Sequence, residues 1–227
     1  MFVVFVAHLA RPALVEADVI AERIGTTPYD TRLALAAGPP SVVLVTHERD
    51  RAADVLAVLR ARGHGAHTFD EENFVSSEAM TRMTDFTLEP DGIRRASTDD
   101  FLPYGDIFAI LRAVHEASSV LEGPEEREHV AYFFRRSGEK PWLLRERHTS
   151  YVGLGQDRGP VAFTNFTRAL SRIREAAAMA VFDARLTRRR VGERASAEGQ
   201  RSPRDAMDLL AHLLAMSIAS QGGSPYR

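Results

Sequence analysis

Three breaks punctuate the first seventy residues: Gly25, the run Gly38-Pro39-Pro40, and Gly63. Between them the apolar spacing switches from strand-like to helix-like and back, which leaves few folds open to this stretch. Met1–Ala7 is apolar but only seven residues long. No basic segment precedes it and no clear small-residue cleavage site follows, so a buried strand is expected rather than a signal peptide. Val15, Val19, Ile20 and Ile24 then recur at helical spacing, and Gly25 stands where a left-handed helix end belongs. Thr27 can cap a second helix, with Pro28 at its first position and Asp30 near its positive end. That helix stops at Gly38, because Pro39 and Pro40 cannot continue it. Val42–Val45 is a continuous apolar run, as in a strand buried on both faces. A third helix, from about His47 to Arg62, carries Ala52, Val55, Leu56 and Leu59 on one stripe and closes at Gly63. A short strand over 66–69 completes a βααβαβ module spanning residues 1–72.

Several residues in this order resemble a known family. The first helix ends in Ile24-Gly25-Thr26, and the second in Ala-Gly-Pro-Pro. The third opens with Glu48-Arg49-Asp50-Arg51-Ala52-Ala53 and ends with Leu59-Arg60-Ala61-Arg62-Gly63-His64. Together they resemble the C-terminal domain of the bacterial ribosomal stalk protein, over about 70 of the 227 residues. The resemblance implies a partner-binding face on the first two helices. In that family the face is basic; here the matching positions hold Glu16, Asp18, Glu22, Arg23 and Arg32.

The polar, acidic run from Asp70 to Glu78 reads as a junction, after which the period changes. Met83, Phe86 and Leu88 lead into Glu89-Pro90-Asp91-Gly92, a hairpin turn, and Ile93 begins the return strand. Residues 104–117 fit both templates: Ile107, Ile110, Leu111 and Val114 suit a helix, while Phe108, Ile110 and Val114 suit a strand. Gly123-Pro124 and the acids after it read as a solvated loop. Val130–Phe134 and Trp142–Leu144 are expected to pair through a turn at Ser137-Gly138, with Tyr151 and Val152 extending the sheet. Phe163, Phe166, Leu170, Ile173, Ala177 and Val181 form one long helical stripe. Strands closed by an aromatic-faced helix resemble a pleckstrin-homology-like domain in element order over 80–190. Residues 191–201 read as a linker. A last helix, over 202–221, has Ser202 as cap and Pro203 at its first position. The fold class expected is α+β: the small N-terminal module, a mostly antiparallel β module closed by a long helix, and a C-terminal helix.

Composition narrows the chemistry. There is no cysteine, which excludes disulfides, thiolate zinc sites and thiol nucleophiles. Net charge is −2, so the whole chain has no bias toward polyanions. No apolar run reaches the roughly 20 residues of a membrane span, and a cytoplasmic location is expected. Phosphate-loop, zincin and serine-elbow patterns are absent. Gly153-Leu154-Gly155 lacks the third glycine of a dinucleotide fingerprint. His64, His67 and Asp70 are close in sequence, but residues three apart on a strand face opposite ways, so no metal site is expected. The acidic pairs at 70–72, 99–100 and 125–126 fall in loops. Glu139-Lys140 lacks the acid-x-lysine spacing of a metal-dependent nuclease. Glu146 and His148 pair with no recognised nucleophile. Phe133, Phe134, Trp142 and Tyr151, flanked by arginines, suit a core better than a base-stacking platform.

Charge gathers downstream, where ten arginines face four acids between residues 168 and 204. Arg168, Arg172, Arg185, Arg188, Arg189 and Arg190 are candidate contacts for an acidic protein, nucleic acid or an anionic lipid surface. Leu209, Leu210, Leu213, Leu214 and Ile218 leave the last helix apolar on more than one face. It must therefore dock on its own domain or on a second copy of the chain. The expected function is a non-catalytic binding or scaffold protein with no catalytic residue, cofactor or metal. The alternatives are an adaptor for polyanions and a hydrolase whose site is assembled from distant residues such as Glu139, Glu146 and His148.

Overall fold

A computed structural model describes residues 1–116, 127–189 and 201–222. The acids Glu125 and Glu126, Arg190, and all but the end of the linker over 191–201 lie outside the described residues. The fold is α+β, and the chain divides into two compact units. The first comprises Met1–Phe74 with His212–Ser217, the second Val75–Ala211 with Ile218–Arg227. The C-terminal helix therefore contributes residues to both units.

In the first unit, β1 (Phe2–His8) lies between β2 (Ser41–Thr46) and β3 (Gly65–Asp70) and runs antiparallel to both. The helices are α1 (Ala13–Ile24), α2 (Pro28–Ala36) and α3 (Arg49–Ala61). Their ends follow the local chemistry. Gly25 takes φ 73° and donates its N–H to Ala21 O at 2.9 Å. Thr27 Oγ1 accepts the Asp30 N–H at 3.1 Å, with Pro28 at the first helical position. The apolar stripes then meet one sheet face: Val4, Val6 and Leu44 pack with Ile20, Leu35, Val55 and Leu59. Val3 and Phe5, which point the other way along β1, are also fully buried. Nearby, Phe69 and Phe74 pack against His212 at ring distances of 5.8 and 5.7 Å.

The second unit has two sheets. One is five-stranded, in the order β11 (Val181–Asp183), β8 (Ile107–His115), β9 (Glu128–Arg135), β10 (Trp142–Arg145), β4 (Thr81–Arg82). Its centre is antiparallel and both its edge pairs are parallel. The other is an antiparallel meander of β5 (Phe86–Leu88), β6 (Gly92–Arg95) and β7 (Phe101–Pro103). The hairpin expected at Pro90-Asp91-Gly92 joins β5 to β6.

Residues 107–115, ambiguous in sequence, form a strand. All but Arg112 are buried, so both faces of β8 are covered and the period that separates strand from helix is erased. Two expectations are corrected. The helix α4 (Ala162–Ala176) ends before Val181, which instead opens β11 beside Ala109. Tyr151 and Val152 do not extend the five-stranded sheet. Tyr151 has φ 57° at the edge of a turn, and Gly153 makes an isolated bridge to Thr87 in the smaller sheet.

The core joins Met83, Phe86, Ile93, Leu102, Ile110, Phe133 and Trp142 with Phe166, Leu170 and Ile173 of α4. Each such side chain contributes about 1.5–3 kcal/mol on full burial. The last helix, α5 (Pro203–Gln221), is capped by Ser202 Oγ, which accepts the Asp205 N–H at 3.0 Å. It is buried almost all round from Ala206 to Ser217. Leu209, Leu210, Leu213 and Leu214 are at most 6% exposed and Ile218 is half-buried. The stripe that the sequence left open to a second copy is thus covered within its own chain.

Candidate functional site

Glu16 follows the helical stripe of α1 inward, and its carboxylate is fully buried in the first unit. Arg62 donates to it through Nε at 2.5 Å and Nη2 at 3.1 Å. Arg11 approaches to 3.7 Å. His64 Nδ1 accepts the Ala10 N–H at 3.2 Å, so the proton sits on Nε2, which donates to Glu16 at 3.1 Å. The Arg62 hydrogen bonds, with help from His64 and against burial, hold the Glu16 carboxyl below the usual range. This cluster ties α1 to the end of α3 and offers no free acid or base.

His67 points elsewhere and stacks on Phe5 at 5.5 Å. Burial, then the Arg60 charge, lowers its pKa. Asp70 caps the turn that follows β3, accepting the Glu72 N–H at 3.2 Å. His64, His67 and Asp70 therefore do not converge. Among the described residues no three His, Asp or Glu side chains are grouped to hold a metal ion. Of the positions that match the stalk family's binding face, Glu16 is interior. Asp18, Glu22, Arg23 and Arg32 are exposed.

The second unit buries a carboxylate of its own. Asp208 on α5 accepts the Ser77 N–H at 2.7 Å through Oδ2, and the Tyr132 O–H at 2.7 Å and His115 Nε2–H at 3.1 Å through Oδ1. His115 Nε2 also lies 2.6 Å from the Tyr132 hydroxyl. Burial pushes the Asp208 carboxyl up, but His115, Tyr132 and the Ser77 amide outweigh it and hold it low. Burial, then the Asp208 charge, raises the Tyr132 phenol well above its ordinary value. All three side chains are closed to solvent, so the network is a buried polar clasp between β8, β9 and α5.

The acids suggested for hydrolysis are dispersed. Glu139 pairs with Arg135 at the β9–β10 turn. Glu146 accepts the His129 N–H at 3.2 Å. His148 pairs through Nδ1 with Glu128 at 2.8 Å, beside Arg145. Glu128 is held low: burial raises it, but His148, Arg145 and the Arg147 amide prevail. Phe133, Phe134, Trp142 and Tyr151 are all core residues, so no base-stacking platform forms from them.

Two of the candidate arginines are paired with acids and a third is tied to backbone. Arg168 donates to Asp157 O at 2.6 Å, Arg172 pairs with the Asp157 carboxylate, and Arg185 pairs with Asp183 at 2.7 Å. Arg188 is exposed, and burial lowers the pKa of Arg189. Positive charge gathers instead in a cleft of about 420 Å³ lined by Arg112, Val114, Arg127, His129 and Thr187. Only Thr187 lies in the segment that the sequence marked. Arg112 escaped notice because only strand pairing places it near His129, and Arg127 because it stands alone after a run of acids.

No family model matches the chain, and no match was found among the curated proteins or the solved structures.

Proposed function

We propose that this chain is a non-catalytic binding protein of the cytoplasm, acting through protein–protein contacts made by α1 and α2. One observation carries the reading. These two helices leave Leu14, Val15, Tyr29 and Leu33 between 50% and 66% exposed, on a unit whose core is already filled. Apolar side chains concentrated on two packed helices favour a partner surface over water. The element order β1, α1, α2, β2, α3, β3 supports the likeness to the stalk-protein domain, whose first two helices carry its contacts. The internal saturation of the Glu16, Asp208 and Glu128 clusters supports a binding role, because each buried carboxylate already has its donors. Among the described residues, no helix is long and apolar enough to cross a membrane.

The test is site-specific photo-crosslinking in the native cells, with a photoreactive residue at position 14, 29 or 33 and, as control, at exposed Asp54 on α3. A common adduct at 14, 29 and 33 that is missing at 54 is expected. No adduct at any of the three would refute the assignment.

A further inference from the structure

The basic cleft belongs to the second unit and plays no part in the proposed protein contacts. Strand pairing builds it. Arg112 pairs opposite Ala131 and Val114 opposite His129, so Arg112, Val114 and His129 share one face of the β8–β9 pair. Arg127 lies two residues before His129, and Thr187 completes the lining. The guanidinium of Arg112 is held over Phe163 and Phe166 of α4, at 5.5 and 5.7 Å from the ring centres. Its Nη2 lies 3.5 Å from His129 Nδ1, an approach that suits the tautomer with the proton on Nε2. The Arg112 Nε is buried and has no acceptor among the described residues.

Among those residues the Arg127 guanidinium and His129 Nε2 likewise have no hydrogen-bonded partner. The nearby carboxylates are committed, Glu146 to the His129 amide and Glu128 to Arg145, His148 and the Arg147 amide. Among the described residues, two guanidinium groups and a ring nitrogen thus meet in one cleft, with the Glu146 carboxylate, which acts on the His129 ring, as a nearby opposing charge. Forked donors of this kind match the oxygens of a phosphoryl group. The cleft is at the small end of ligand sites, which run to roughly 300–1,000 Å³. Phe163, 41% exposed, lies tilted against His129 at 4.9 Å between ring centres and gives the cleft an apolar rim.

We propose that this cleft binds a soluble phosphorylated small molecule, its phosphoryl oxygens on Arg112, Arg127 and His129 and its remainder along Phe163. Burial and the Arg112 charge lower the pKa of His129, so a bound dianion would raise it.

The experiment is calorimetric titration of the full chain with pyrophosphate, with the His129 ring resonance followed by NMR. Wild type is expected to bind, with affinity falling between about 50 and 200 mM salt, and the His129 pKa to move up. Arg127→Gln should weaken binding at least about tenfold. This arginine is exposed, so the variant should fold even if Arg112→Gln does not. Arg136→Gln is the control, at the far end of the β8–β9 pair, and should change affinity less than about twofold. Absence of binding, or equal affinities in wild type and Arg127→Gln, would overturn the proposal. So would binding confined to phosphatidylcholine vesicles doped with phosphatidylinositol bisphosphate and uncontested by pyrophosphate. The crosslinking test probes different residues on the other unit, so the two readings fail separately.

Discussion

Asp208→Asn asks how much of the second unit rests on one buried negative charge. The two side chains have the same shape, so the change is electrical. Asp208 presents two acceptor oxygens to three donors: the Ser77 amide on one, Tyr132 and His115 on the other. An asparagine has one acceptor oxygen, and its NH₂ must face an existing N–H or O–H donor. At least one charge-assisted bond is lost, each worth about 1.5–3 kcal/mol, and one buried donor is left unsatisfied at about 1–3 kcal/mol. The expected loss is about 3–5 kcal/mol, in line with breaking a buried charged pair. That is a large share of a native stability of about 5–15 kcal/mol. At about 2–4 °C per kcal/mol for a chain of this size, Tm should fall by roughly 6–20 °C. Tyr132→Phe removes one donor of three and should lose only about 1–2 kcal/mol.

The pH dependence follows from the same geometry. The folded carboxyl is depressed, so its contribution is complete above the ordinary aspartate value of about 3.9 and disappears as pH falls through the lower folded value. The gap between wild type and Asp208→Asn should therefore close at strongly acid pH. Urea denaturation followed by circular dichroism, repeated across pH, measures both effects. A variant within about 0.5 kcal/mol of wild type at neutral pH, or one less affected than Tyr132→Phe, would refute the reasoning.

Three further outcomes are expected. Glu16→Gln should lower the urea midpoint at neutral pH and remove part of its fall on acidification below about pH 4.5, since the folded Glu16 carboxyl is also depressed. His129→Gln should flatten the stability profile below about pH 6.5. The depressed histidine contributes fully above that value and its contribution is lost as pH falls, with half-buried His67 supplying a similar slope of its own. Gly153→Ala would place a Cβ 2.1 Å from Phe86 O and 2.9 Å from its carbonyl carbon, so thermal melting should show a loss of about 1–3 kcal/mol.

The first unit was legible because local chemistry and tertiary packing agree there. Gly25, Thr27, Pro28 and Gly63 each mark a helix end that the chain obeys. Legibility failed where burial covers both faces of an element. The strand β8 loses its alternation for that reason, and Val181 prolonged the stripe of α4 by chance although it starts a strand. The polar clusters were the least visible. Glu16 and His64 are 48 residues apart, and Ser77 and Asp208 are 131 apart. A faint sign was present in α5, where Asp208 is an acid at the start of a run of leucines and alanines, past the capped first turn. An acid in such a setting must find donors, but the sequence does not say which. The cleft arginines were hidden likewise, because only the pairing of β8 with β9 makes Arg112 and His129 neighbours.

The spacing of the Asp208 clasp has a consequence for a nascent chain. Ser77, His115 and Tyr132 emerge well before their shared acceptor, since 131 residues separate Ser77 from Asp208. At about 5–20 residues per second, the amide waits on the order of ten seconds for the carboxylate that will satisfy it. During that interval the strands around it are without their electrostatic latch, and a translating chain is at its most vulnerable to proteases and to stray association just before α5 arrives.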